Sequence, residues 1–485
     1  MTDDFTPTEE QLHIKNLTKT TKDNLLINAL AGAAKTSTLV LIANTLSRTS
    51  ILCLAFNKKI ATEMQLRLPS NATAMTLNSL GHRVWGASLT GYIKIDTGKN
   101  HRLLKAAIEN LTSAKDTKAA YKSMGDLLQS IRFGKACGYI PTGCYERASA
   151  LMRDDDFYDH LEEEPTALEW QLIREVSAAS LREAHLGTLD FDDQILMPTC
   201  FNANFPQYPV VLVDEAQDLS SLNHAMLAKM AKGRLIAVGD ECQAIYGFRG
   251  AHANSMRLME ETFSMTSCPL TISFRCPKSI VKAVKWRAPQ MKSPEWAIDG
   301  LVAKPDTWSV EDLPDNCAVI CRNNAPLFTL AIKLINNGRY PDMAGMDIGK
   351  ALLKMLSKLG KASMPQSAAL TELELWLEKK LKRSRDPEKI LDQANCMRIF
   401  INQADTLGGA MDLLDSILHS NGPVKLMTGH KSKGLEFPHV FFLDEQLIGK
   451  KRQDPNLRYV IQTRAMETLT YVYLANFKGI DNAAD

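Results

Sequence analysis

No stretch of this chain approaches the roughly 18 consecutive apolar residues that a membrane-spanning helix needs. Its opening, Met1 to Lys15, is polar and acidic rather than leader-like. Together these absences predict an intracellular protein with no membrane partner. Metal-binding cysteine spacing is missing as well: the ten cysteines are scattered, none forms a C-x-x-C pair, and the closest neighbours are Cys317 with Cys321 and Cys137 with Cys144. Neither a zinc site nor an iron–sulfur cluster is suggested, and reduced thiols are the expectation. Net charge is low, at +2. That value neither supports nor excludes a polyanionic partner, because a local basic groove matters more than the sum. No internal repeat or long low-complexity linker is evident. What the chain does have is length and apolar content. Its 485 residues, 45% of them hydrophobic, give room for roughly three domains and several buried cores.

Hydrophobic periodicity supplies the first outline. Leu25 to Leu30 reads as a strand, Ala31 to Ala34 as a small-residue turn, and Lys35 to Leu46 as a helix. Short apolar runs at Ile51 to Phe56, Val210 to Val213 and Leu235 to Val238 fit parallel core strands separated by helices, which predicts an α/β fold. Between about Tyr92 and Leu186 the pattern is helical and charged, with acidic clusters at Asp154 to Asp156 and Glu162 to Glu164. A second strand-bearing unit is expected from near Leu270, with strands at Ala318 to Cys321, Val440 to Leu443 and Thr470 to Leu474. Between those strands, roughly Asn336 to Gly422 is mostly helical, and Lys379, Lys380, Lys382, Arg383 and Arg385 make its most basic run.

The most informative run is Val211-Leu-Val-Asp-Glu-Ala-Gln-Asp218, an apolar strand ending in two adjacent carboxylates. A buried strand that delivers Asp214 and Glu215 to its carboxyl end can give one acid to a Mg²⁺ shell and leave the other to orient and deprotonate a water. A solvated acidic turn is the plainer alternative. Upstream, Ala29-Leu-Ala-Gly-Ala-Ala-Lys-Thr36 has the length and ending of a phosphate-binding loop, with alanine at both framework glycine positions. Lys35 would reach the β and γ phosphates of ATP and Thr36 would ligate Mg²⁺. Backbone N–H groups over Ala31, Gly32, Ala33, Ala34 and the helix start at Ser37 would cradle the oxygens. Ala34 stands beside the lysine where the backbone normally requires glycine.

With these elements in order, the chain resembles a superfamily 1A helicase of the UvrD, Rep and PcrA type from about Phe5 to Leu474. Phe5-Thr-Pro-Thr-Glu-Glu-Gln11 is similar to the family's glutamine motif, which implies that Gln11 bonds the adenine edge. Leu52-Cys-Leu-Ala-Phe-Asn-Lys-Lys59 resembles motif Ia, implying single-stranded DNA contacts from Phe56 and Asn57. Thr76-Leu-Asn-Ser-Leu-Gly81 is similar to the family's Thr-Phe-His-Ser-Leu-Gly, with Leu77 and Asn78 replacing the aromatic and the histidine, and a DNA contact at Thr76 follows. Leu189-Asp-Phe-Asp-Asp193 matches the element that marks the return from the family's first helical insertion.

The most distinctive match is Val238-Gly-Asp-Glu-Cys-Gln-Ala-Ile-Tyr-Gly-Phe-Arg-Gly-Ala251. Gln243 can sense the γ-phosphate there, while Tyr246, Phe248 and Arg249 present stacking and cationic surfaces to DNA. Core aromatics are the alternative for Tyr246 and Phe248. Ile272-Ser-Phe-Arg-Cys276 resembles motif IV, implying adenine stacking by Phe274 and γ-phosphate contact by Arg275. Leu426-Met-Thr-Gly-His-Lys-Ser-Lys-Gly-Leu-Glu-Phe437 resembles motif V, implying DNA-backbone contacts from Thr428 and His430 and a ribose contact from Glu436. Leu457-Arg-Tyr-Val-Ile-Gln-Thr-Arg-Ala465 resembles motif VI and implies an arginine finger at Arg464.

The resemblance implies two RecA-like parallel-sheet domains with helical insertions. The first core would be 1–91 with 187–268, interrupted by a helical insertion over 92–186. The second would be 269–335 with 423–485, interrupted by a reduced helical insertion over 336–422. The implied activity is ATP hydrolysis with Mg²⁺, driving 3′ to 5′ movement on single-stranded DNA and unwinding at duplex junctions, with replication or repair proteins as possible partners. The short second insertion predicts that strand separation is less autonomous than translocation. A translocase that strips proteins from DNA and a binding module with a weakened ATP site are the rival readings.

Overall fold

Runs such as Leu25–Ala29, Ile51–Ala55 and Val210–Val213 are apolar or small at almost every position and almost wholly buried, the pattern of strands covered on both faces. In the computed structural model, which describes residues 6–161, 163–247, 254–343, 346–384, 386–449 and 453–478, they are central strands of a six-stranded sheet. Its order is 72–76, 51–55, 210–213, 234–239, 25–29, 266–270, and every pairing is parallel. A second six-stranded sheet runs 341–343, 424–428, 318–321, 437–443, 465–472, 301–303, again all parallel. The fold is therefore α/β, with two RecA-like parallel sheets and helical insertions.

The chain divides into two compact units, residues 1–29 with 34–270 and residues 30–33 with 271–485. In the first, Leu52, Leu54, Val211, Val213 and Leu235 of the sheet pack against Met226, Leu227 and Met230 of the helix Ser221–Met230. In the second, Val319, Cys321, Leu426 and Leu443 share a core with Phe328, Leu373, Phe400 and Leu414 from the helices that follow. Helices Met346–Leu359, Gln366–Leu381, Pro387–Asn402 and Leu407–Leu418 fill the interval between strands 341–343 and 424–428. Among the described residues no helix is long and apolar enough to cross a membrane. All ten cysteines are free thiols.

Within the first unit, helices Lys99–Glu109, Ala114–Cys137, Asp154–His160 and Ala167–His185 enclose a core of their own around Ile108, Ile131, Phe157 and Leu172. Four buried charges tie this block to the Asp190–Asp193 turn. Lys99 Nζ lies 2.5 Å from Asp193 Oδ2 and also donates to the carbonyls of Ser180 and Thr188. Lys135 Nζ lies 2.5 Å from Asp190 Oδ2 and 2.7 Å from Asp193 Oδ1. Two cations facing two carboxylates leave no net charge in the interior, which is the condition for tolerating ions there.

The structure departs from the periodicity reading at the sheet margins. Strands 72–76, 266–270, 301–303 and 341–343, none of them anticipated, are the four edges. Edge strands need an apolar pattern on fewer sides and tolerate proline, as at Pro269 and Pro341, so their sequences carry a weak strand signal. Strand 424–428 also escaped, because Lys425 breaks its apolar run. The final strand is Ala465–Val472 rather than Thr470 to Leu474: its pairing with 437–443 begins at Ala465 opposite Phe437. Phe5, Glu162 and Arg385, named in the sequence reading, lie outside the described residues.

Candidate functional site

Because the strands of the first sheet are parallel, all their carboxyl ends lie on one edge, where ligands bind in open α/β sheets. Phe56 follows strand 51–55, Asp214 follows 210–213, Asp240 follows 234–239, and Thr76 ends strand 72–76. Lys35 opens the helix Lys35–Thr45. Chain direction alone therefore gathers side chains scattered over more than 200 positions.

The turn leading into this helix is left-handed although both framework glycine positions hold alanine. Ala34 takes the left-handed conformation, φ 55° and ψ 44°, at the N-cap of that helix. An L-residue pays roughly 1–2 kcal/mol to do so, and alanine, the smallest of them, adds least bulk. Ala31 and Ala33 are buried, and Gly32 has φ 75°. Ser37 Oγ accepts from Arg67. Thr36 leads with Lys35 into the first helical turn, whose free N–H groups suit anions.

Lys35 Nζ sits 2.7 Å from Glu215 Oε2. Burial lowers its pKa, but the charges of Glu215, Asp214 and Asp240 outweigh this and leave it raised, so the ammonium stays charged. Glu215 is itself left-handed, at φ 50°, a strain of the kind stored at functional sites. Its Oε2 also accepts from Gln217 Nε2, and Gln217 Oε1 accepts from the backbone N–H of Asp240 at 2.9 Å. Asp240 Oδ2 accepts from Gln243 Nε2 at 2.6 Å. A continuous hydrogen-bonded chain thus runs Lys35, Glu215, Gln217, Asp240, Gln243. A Cβ at Gly239 would come within 2.6 Å of Gln217 Oε1, so glycine is what lets Gln217 reach across.

Asp214 is buried, and burial together with the neighbouring Glu215 charge pushes its carboxyl up to about 7. A carboxylate so disfavoured as an anion gains most from an adjacent cation. Among the described residues no cluster of three or more His, Cys, Asp or Glu forms a metal cage. The donor types present, a buried Asp214 carboxylate, the Thr36 hydroxyl and the free N–H groups of the helix start, instead fit Mg²⁺, which keeps waters and shares phosphate oxygens.

Other expected residues are placed differently. Gln11 is wholly buried, its Oε1 accepting from the Thr8 N–H in a capping box and its Nε2 donating to Thr38 Oγ1 at 2.9 Å. Asn57 and Thr76 cap helices, accepting from Ile60 and Ser79 backbone N–H groups. Phe56, half exposed, faces Tyr246 with rings 5° from parallel and centroids 6.2 Å apart. Phe248 and Arg249 lie outside the described residues. In the second unit Arg275 Nε donates to Glu436 Oε2 at 2.6 Å. Phe274 stacks near Trp296, centroids 6.3 Å apart. Thr428 is buried at the start of a short helix, and His430 is partly exposed. Arg464 is only 1% exposed, donating to the carbonyls of Val460 and Leu435 and to Thr463 Oγ1.

The sequence reading missed Gln217, Asp240 and Trp296. Gln217 and Asp240 lay inside the quoted motifs but had been given no role; Trp296 had no sequence signal.

Residues 9–264, more than half of the chain, match the family model for the UvrD/REP helicase N-terminal domain. F-box DNA helicase protein 1 of Schizosaccharomyces pombe is 25% identical over 95% of this chain and 57% of its own length. DNA helicase II of Haemophilus influenzae is 24% identical over 54% of this chain and 37% of its own length. ATP-dependent DNA helicase PcrA of Leuconostoc citreum is 26% identical over 55% and 37% respectively. The chain thus spans between 37% and 57% of the length of these relatives. With its family model matched, its two parallel sheets and its carboxylate and lysine on one strand edge, the chain belongs to the UvrD/REP family of superfamily 1A helicases.

Proposed function

We propose that this chain hydrolyses ATP with Mg²⁺ to move along single-stranded DNA and open duplex junctions inside the cell, in replication, repair or recombination. The observation that carries the reading is the hydrogen-bonded chain from Lys35 through Glu215, Gln217 and Asp240 to Gln243, on the same strand edge as the Phe56 and Tyr246 rings.

Each residue has a task that follows from its chemistry. Lys35 leaves Glu215 for the phosphate oxygens of ATP, a better match for a point cation. Glu215, held by Gln217, is then free to accept a proton from the attacking water. Thr36 and Asp214 would hold Mg²⁺, which when bound would supply positive charge toward the phosphoryl group. Gln243 reports the γ-phosphate through Asp240 and Gln217, so the same segment that carries Tyr246 feels the nucleotide. Phe274 stacks on adenine and Glu436 binds ribose, while Arg275 and Arg464 stabilise the phosphoryl charge. For Arg275 this requires release from Glu436. DNA is gripped by Phe56, Asn57, Thr76, Tyr246, Phe248, Arg249, Thr428 and His430. Movement runs 3′ to 5′ by likeness to the family.

The test is ATP turnover with and without single-stranded DNA, comparing the wild type with Glu215→Gln. DNA-stimulated turnover that the variant abolishes is expected; a wild type silent in both conditions rejects the reading. The helices of 346–418, four in number, favour a second version in which the motor displaces proteins without unwinding. A duplex-unwinding assay beside a protein-displacement assay separates the two.

A further inference from the structure

At the carboxyl ends of strands 51–55 and 210–213, inside the first unit, lies a cavity of about 430 Å³. Its walls include the Phe56 and Tyr246 rings, and its polar lining is Asn78, Asp192, Asp214, Asp218, Ser220 and Asn223. Among the described residues no lysine, arginine or histidine lines it. A flat apolar ring entering the cavity would meet aromatic faces, so its walls suit a nucleobase.

Among these polar residues Asp192 is distinctive. Asn78 donates to the Phe191 carbonyl at 2.7 Å, and Asn223 accepts from the Ser220 N–H in a capping box. Asp192 precedes the helix Asp193–Cys200 yet makes no side-chain capping bond. Its neighbours Asp190 and Asp193 are consumed by Lys135 and Lys99, which fix the turn. The turn is thus rigidly anchored by two of its acids, while the third lines the cavity.

We infer that Asp192 is a specificity-determining residue that accepts a hydrogen bond from the exocyclic amino group of a nucleobase seated in this cavity. Burial and the Asp190 charge push the Asp192 carboxyl up to about 6, so at pH 8 it is ionised and only accepts, favouring the N4 amino group of cytosine and repelling the O4 carbonyl that uracil or thymine presents at the same place. The protein thereby prefers amino-bearing bases at one position of its track, beyond the sequence-tolerant stacking supplied by Phe56 and Tyr246. This rests on the reading of the chain as a single-strand DNA motor.

Cytosine and uracil share their ring and lack the methyl group of thymine, so oligo(dC) against oligo(dU) isolates the C4 substituent and the N3 proton that accompanies it. Fluorescence anisotropy of 16-mers should find oligo(dC) bound roughly tenfold more tightly by the wild type, the weight of one such base contact. Asp192→Ala should make the two equal, and Asp192→Asn, whose amide can donate to O4, should shrink or reverse the ratio. Equal binding by the wild type overturns the inference without needing any variant, as does a full preference retained in Asp192→Ala. If neither oligomer binds, the nucleic-acid reading itself has failed and the inference falls with it.

Discussion

Replacing Lys135 with methionine keeps its bulk and removes one of the four buried charges. The side chain is 4% exposed and its Nζ contacts Asp190 at 2.5 Å and Asp193 at 2.7 Å. At an effective dielectric constant of about 20, each contact carries a gross attraction of roughly 6 kcal/mol. Most of that offsets the several kcal/mol per ion spent on dehydration. Methionine removes the attraction but leaves both carboxylates dehydrated with only Lys99 to balance them. The expected loss is about 3–5 kcal/mol for the first unit. It should be read as the shift of that unit's transition in urea, since two units need not unfold together. Adding Asp190→Asn to Lys135→Met restores charge neutrality and should recover most of the loss, a coupling that separate sites would not have. In the single variant a carboxyl will hold a proton in the folded state at pH values where the unfolded chain has lost it, so its stability should improve as pH falls. A loss under about 1 kcal/mol, or a double variant as costly as the sum of its parts, would refute the charge-balance argument.

Further outcomes follow from the strand edge. Ala34→Gly removes a left-handed strain of roughly 1–2 kcal/mol and adds about 0.5–1 kcal/mol of unfolded-state freedom. A net gain of ~0.5–1 kcal/mol should appear as a raised Tm, and an unchanged or lowered Tm would mean the loop is not strained by its methyl. Asp214, raised to about 7, keeps its proton in the folded state between roughly pH 4 and 7, where the unfolded chain has lost it; the stability present in full below about pH 4 is therefore lost progressively as pH rises across that window and is gone above 7. Relative to Asp214→Asn, the Mg²⁺-free wild type should lose up to about 1.4 kcal/mol per pH unit across this window, and a flat difference in a pH series of melts speaks against it. Arg464→Ala should lower DNA-stimulated ATP turnover by about 10³-fold. Because three hydrogen bonds of a buried guanidinium go with it, the Tm should fall too, and a fully active, fully stable variant would leave Arg464 with neither role.

Much of this protein is legible in one dimension. The run Val211 to Asp218, the loop ending in Lys35-Thr36 and the motif around Gln243 fix the α/β class and the family, because a parallel core strand must be apolar throughout and its chemistry must follow at its carboxyl end. The edge strands were not legible: with one partner and partial burial, segments such as Thr266–Leu270 carry little pattern and can include a proline. Nor could spacing say that Gln11 would spend its amide on Thr8 and Thr38, or that Arg464 would be sunk among backbone carbonyls.

Only the folded chain brings Gln217 between Glu215 and Asp240, and only there does Asp192 line a cavity while Asp190 and Asp193 on either side are neutralised. Sequence determines which residue types are available and the order in which strands deliver them. Which of two adjacent carboxylates is paired and which remains an open acceptor is decided by partners far away in the chain, Lys99 and Lys135, that only tertiary packing brings within reach.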